Sequence, residues 1–167
     1  PLLRLSGEDL DSGEGRNSLD TGKAWFATRG YRRAPVFFPE AGRYRFRFKA
    51  GAQQVGPEPV KCEVRLGTRS LGQFEVTAGS AVAQDFAFER ELPAGQDELQ
   101  VWFVNEFKDP QTGAERWLWL HELTIEGPLS TGLGLRNDEV PMILEQTGRR
   151  LFRRPLLPDE KARLGKL

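Results

Sequence analysis

Between residues 105 and 119 the chain carries Asn105, Glu106, Lys108, Asp109, Gln111 and Glu115, followed at once by Trp117 and Trp119. Amide and carboxylate side chains supply the mixture of donors and acceptors that a ligand rich in hydroxyls needs. Trp117 and Trp119 point the same way if their segment is a strand, and exposed they would make a flat platform for a sugar ring. The same residues have plainer uses. Asn105 and Asp109 are turn formers that bond to nearby backbone, and large aromatics at alternate positions ordinarily face a core. Trp25 and Trp102 share that ambiguity. The candidate contacts are Asn105, Glu106, Asp109, Trp117 and Trp119.

The segments that would position these residues alternate with a period of two. Leu99, Val101 and Phe103 share one parity, and Leu123 and Ile125 share the odd parity of the second run, so the stretch 95–128 reads as two strands joined by a long polar loop. Residues 43–50 (RYRFRFKA) put Tyr44, Phe46 and Phe48 on one face and Arg43, Arg45, Arg47 and Lys49 on the other. In 60–66, Cys62, Val64 and Leu66 face inward. Residues 2–10, 25–31, 34–38, 71–76 and 85–89 read as further strands, and 11–24, rich in Gly, Ser, Asp and Asn, reads as loop. About eight or nine short strands with turn signals roughly every eight to twelve residues predict an all-β antiparallel sandwich over 1–128. Composition changes after Pro128. Residues 129–140 read as linker, and 141–167, basic and interrupted by Pro155, as a short C-terminal helical tail.

Composition narrows the function classes. The chain has 167 residues with 24 basic and 24 acidic side chains. Zero net charge argues against a general nucleic-acid partner, which needs a basic surface. No run approaches the roughly 18 apolar residues of a membrane span. One cysteine, Cys62, excludes an internal disulfide. The chain begins at Pro1 and reads as a fragment of a longer protein. No catalytic set stands out: none of the serines lies in a G-x-S-x-G elbow, and GLGL near residue 132 follows no phosphate-binding strand.

The segments PEAGRYRFRFKA, VRLGTRSLGQFEV, ELPAGQDELQVWFVNEFKDP and WLWLHELTIEGP resemble a carbohydrate-binding module of the calcium-dependent, xylan-binding jelly-roll type. Asn105-Glu106 stands at the family's Asn-Asp pair, and residues 120–128 at its last strand. The tail, ILEQTGRRLFRRPLLPDEKARLGKL, resembles the start of a helical domain of unknown function found in large exported planctomycete-type multidomain proteins. The resemblance implies a polysaccharide partner of xylan type, other domains of the same polypeptide, export to the periplasm or beyond, and a structural calcium held by carboxylates of the first and last strands. Glu8 and Asp9 are the carboxylates left for that metal. Ser6 stands where the family's first Glu would be and His121 where its last-strand Asp would be, and imidazole is a poor ligand for a hard cation. His121 has no second His or free Cys partner for zinc, so it is expected to be buried and hydrogen-bonded.

Arg43, Arg45, Arg47, Lys49 and Arg65 would line one outer face, either as an anion-binding stripe or as a solvated face paired with neighbouring acids. Three functions follow. The first is a non-catalytic polysaccharide-binding module of a larger exported protein. The second is a structural sandwich that has lost sugar and calcium binding and packs against neighbouring domains. The third is a hydrolase with carboxylates in its loops. Solvent-open Trp117 or Trp119 favours the first, an apolar patch the second, and two carboxylates about 5–10 Å apart in a cleft the third.

Overall fold

The computed structural model describes residues 2–129. The expected linker beyond Leu129, the helical tail and the resemblance it carries lie outside the described residues. Within them, strands of period two build two antiparallel sheets. The first runs β3 (Asn17–Asp20), β4 (Lys23–Phe26), β11 (Trp117–Leu129), β6 (Gly42–Gln53), β9 (Gln84–Leu92). In it β1 (Leu3–Ser6) pairs with β11 beyond the end of β4. The second runs β2 (Asp11–Ser12), β5 (Gly30–Phe38), β10 (Gly95–Phe103), β7 (Val60–Leu66), β8 (Arg69–Val76). This is the β-sandwich that the alternation predicts.

The core lies between the sheets. From β6 it receives Tyr44, Phe46, Phe48 and Ala50, from β10 Leu99, Val101 and Phe103, and from β7 Val60, Cys62, Val64 and Leu66, all buried. Phe46 and Phe48 stack on Phe88 and Phe86 of β9 at 5.0 and 4.6 Å. Burial pushes the Cys62 thiol up to about 12, with a smaller push from the Glu63 charge, so it is inert packing.

On the outside of β6, Arg43 and Arg45 pair with Glu91 and Glu89 of β9 at 3.1 and 2.7 Å, and Lys49 with Glu122 of β11 at 3.2 Å. The basic stripe is therefore charge-compensated. Arg65 is not part of it: β7 belongs to the second sheet, where the guanidinium lies 4.5 Å over the Trp102 ring.

Two stretches differ from the expectation at the N-terminus. The strand expected over 2–10 stops at Ser6, and Gly7–Asp9 form one 3-10 turn before buried Leu10. The loop expected over 11–24 contains β2, β3 and the start of β4. Both β2 and β3 lie at sheet edges and expose most of their residues, so neither carries the apolar alternation that marks a strand in sequence.

The tryptophans, for which the sequence leaves platform and core both open, face outward. β11 has a bulge at His121: Leu120 pairs with Ala50 of β6, and Glu122 with Lys49, leaving one extra residue. Inward positions are therefore even before the bulge (Leu118, Leu120) and odd after it (Leu123, Ile125). Trp117 and Trp119 share the parity of Leu123 yet face the opposite way, half-buried on the outer face of the first sheet. Trp25 of β4 lies on that face too, and Trp102 on the outside of the second sheet. None of the four is core.

Candidate functional site

At one end of the sandwich four connections are tied together. The β10–β11 connection folds on itself: Arg116 N–H donates to Phe107 O at 2.8 Å, Asp109 N–H to Ala114 O at 2.8 Å, and Gly113 N–H to Asp109 O at 2.8 Å. The Asp109 carboxylate accepts from Gln111 and Thr112 N–H at 2.7 and 3.1 Å, an Asx turn that closes the tip. Asn105 reaches the β6–β7 connection, its amide accepting from Lys61 N–H at 2.7 Å and donating to Pro59 O at 2.8 Å. Glu106 holds the β4–β5 turn by accepting from Arg29 N–H at 2.7 Å. Arg16, between β2 and β3, donates to Glu115, while its own N–H is taken by the Thr28 hydroxyl at 2.7 Å.

Beneath these sits Arg116, only 3% exposed. Its Nε donates to Val55 O at 2.9 Å, its Nη1 to Asn105 O at 2.8 Å, and the guanidinium lies 5.4 Å over the Phe107 ring. Gly56, at φ 86°, brings the β6–β7 connection so close that a Cβ would stand 2.8 Å from Phe107. Nothing in the sequence marks Arg116 as buried. It occupies the same inward register as Leu118 and Leu120, a register that the bulge at His121 conceals from a reading of alternation.

Ala27, Thr28, Glu106, Phe107, Lys108 and Glu115 line an open cleft of about 440 Å³ at this end. Glu115 joins the cleft to the aromatic face, because its carboxylate also accepts from Trp117 Nε1 at 3.4 Å. Trp117 stacks on Trp25, ring centroids 5.3 Å apart and 22° from parallel, and meets Trp119 at 5.6 Å and 51°. The expected flat platform is thus a standing stack. Trp25 and Trp117 each have one face covered by the other, so a ligand would meet their outer faces and edges, with Trp119 turned beside them.

Of the five candidates, the structure brings Glu106, Trp117 and Trp119 to the cleft and its aromatic wall. Asn105 bonds backbone through both its amide oxygen and its nitrogen, and Asp109 through Oδ1, so these two act first as organisers of the connections. Glu8 and Asp9 lie at the β1 corner, in the 3-10 turn. Their neighbours do not form a metal cage: among the described residues no three of His, Cys, Asp and Glu converge. His121 is half-buried, and its Nε2 has no hydrogen-bond partner among the described residues, contrary to the bonded histidine expected.

Ion pairs and amide donors hold several carboxyls below their usual range. Asp109 is lowered by the Thr112 and Gln111 amides, Glu115 by Arg16, Glu63 by Arg65, and Glu122 by Arg4 and then Lys49. A carboxyl depressed in the fold contributes stability above its unfolded value and loses it as pH falls through the folded one. Burial, with the charges of Lys23 and Lys49, lowers His121. Its sign is the same, because on acidification the unfolded chain takes that proton first. The urea midpoint is therefore expected to decline from about pH 6.5 downward and to steepen below about 4.5. A midpoint that rises on acidification would contradict this charge arrangement.

Several solved structures that share this fold are carbohydrate-binding modules. The CBM36-1 domain of a multidomain xylanase from the hindgut metagenome of Trinervitermes trinervoides superposes with a TM-score of 0.60 at 11% identity, over 75% of this chain and 96% of that one. A CBM36 module in complex with calcium and xylotriose gives 0.59 at 10% identity, over 74% and 99%. A carbohydrate-binding module of Cellvibrio mixtus lichenase 5A in complex with cellotriose gives 0.51 at 16% identity, over 75% and 97%. At such identities the likeness establishes the fold, the jelly roll expected of the sequence. No protein-family model and no curated protein sequence matches the chain.

Proposed function

We propose that this chain is a non-catalytic polysaccharide-binding module that tethers a larger exported protein to a xylan-like ligand. The observation that carries the reading is the half-buried, outward-facing cluster of Trp25, Trp117 and Trp119, continuous through Glu115 with a polar cleft. Monomeric domains rarely leave three tryptophans together on an outer sheet face, and such a patch marks a binding site. Sugar rings present apolar C–H faces to indole and hydroxyl edges to carboxylate and ammonium. The outer face of the tryptophan stack takes the former; Glu106, Lys108 and Glu115 take the latter. Asn105, Asp109 and Arg116 are positioning residues, holding the connections that carry these groups. The neighbours in complex with xylotriose and cellotriose support a glycan as the class of ligand.

Hydrolysis is the weaker reading, although Glu106 and Glu115 line one cleft. A glycosidase needs one carboxyl raised so that it can donate a proton. Glu115 is shifted the other way by Arg16, and Glu106 is tied to the Arg29 amide. The purely structural reading would have the aromatic face covered by a neighbouring domain; the glycan complexes among the structures of this fold favour binding instead.

Electrophoresis of the chain through gels containing xylan, β-glucan or mannan tests the proposal. Retardation by xylan is expected. Unchanged mobility in every polysaccharide would refute the reading.

A further inference from the structure

The resemblance implies a calcium where the first and last strands meet, and the side chains at that corner have other partners. β1 and β11 are paired in register, with Ser6 opposite Glu122. Calcium takes about six to eight oxygen ligands and depends on carboxylates free to supply them. The Asp9 carboxylate is turned back onto its own turn, where Oδ2 accepts both the N–H and the hydroxyl of Ser6 at 2.7 Å. Gly7, inside that turn, donates its N–H to Gly22 O at 3.0 Å, and a Cβ there would strike the Ala24 backbone N at 2.2 Å. Glu122 accepts from Arg4 of β1 at 2.8 Å and meets Lys49 of β6 at 3.2 Å. His121 offers an imidazole that burial, and then the nearby Lys23 and Lys49 ammoniums, disfavour from holding charge. Those two ammoniums would equally repel a divalent cation. Of Glu8, Asp9 and Glu122, Glu8 alone has no bond among the described residues.

We infer that this corner is metal-free and that protein cations do the bridging. Glu122 on β11 is clasped from both sides, by Arg4 of β1 and by Lys49 of β6, so one carboxylate links three neighbouring strands. Asp9 closes the adjoining turn through Ser6. Ser6 is then not a lost ligand but the group that occupies Asp9. His121 sits in the bulge between the two registers of β11. The inference concerns the corner alone and goes beyond the polysaccharide reading. Its test uses no sugar, so its failure leaves that reading standing.

The chain, freed of metal with EDTA and then dialysed against millimolar calcium chloride, is assayed for bound calcium and for thermal unfolding, beside Glu8→Gln and Asp9→Ala variants. The expected result is no stoichiometric calcium and the same Tm in EDTA and in calcium. Asp9→Ala should melt a few degrees lower by the same amount in both. A corner that bound calcium would behave otherwise, since at 100 times its Kd the ion raises the folded-to-unfolded ratio about 100-fold. One calcium per chain, with a Tm gain that Glu8→Gln or Asp9→Ala abolishes, would overturn the inference.

Discussion

Trp117→Ala is expected to weaken polysaccharide binding about 30-fold, the effect of losing a contact worth about 2 kcal/mol at the centre of an interface. Trp117 is the ring that meets both of the others, stacked on Trp25 and tilted against Trp119. Its Nε1 is also the link to Glu115. The fold should survive, because the side chain lies outside the sandwich and leaves Leu118 and Leu120 in place. The stability cost should stay near about 1 kcal/mol, the worth of one aromatic pair. Circular dichroism together with calorimetric titration of xylan separates the two effects. A variant that keeps both its spectrum and full affinity would remove Trp117 from the site.

Arg116→Met is expected to do the reverse, costing stability first and binding through it. The guanidinium is buried and donates to Val55 O and Asn105 O from two different connections. Methionine keeps much of the volume but leaves those carbonyls without donors. Hydrogen bonds from a charged group contribute about 1.5–3 kcal/mol each, so a loss of about 3 kcal/mol is reasonable. Arg116→Lys keeps the charge without the fork that serves two acceptors, and should recover only part of it. Urea unfolding followed by tryptophan fluorescence measures the loss. Because Arg116 touches no proposed ligand group, xylan affinity should fall with the order of the loops. Wild-type stability in Arg116→Met would show that the loops are held by other means.

These two residues also show where sequence was informative. The inward faces of β6, β7 and β10 follow directly from alternation, because a strand between two flanking strands must put one parity in the core. β2 and β3 could not be read that way, since edge strands that face water on both sides carry no apolar period. Trp117 and Trp119 were legible as candidates but not as outward-facing. The bulge at His121 inverts the parity of β11, and an extra residue in a ladder has no composition of its own. Asn105 and Asp109 could be read equally as ligand contacts or as turn residues. Their partners, Pro59 O, Lys61 N–H and the Gln111 and Thr112 amides, came from backbone geometry that spacing does not reveal. Arg116 lay in a polar stretch where nothing marked it as buried.

The most direct measurement is a nitrogen–proton NMR titration of the isotopically labelled chain with xylo-oligosaccharides. The account predicts shifts concentrated on the indole groups of Trp25, Trp117 and Trp119 and on the amides of Glu106, Lys108 and Glu115, with Tyr31 and Trp102 on the opposite sheet unmoved. Shifts centred on Tyr31 and Trp102, with the first-sheet tryptophans silent, would contradict it.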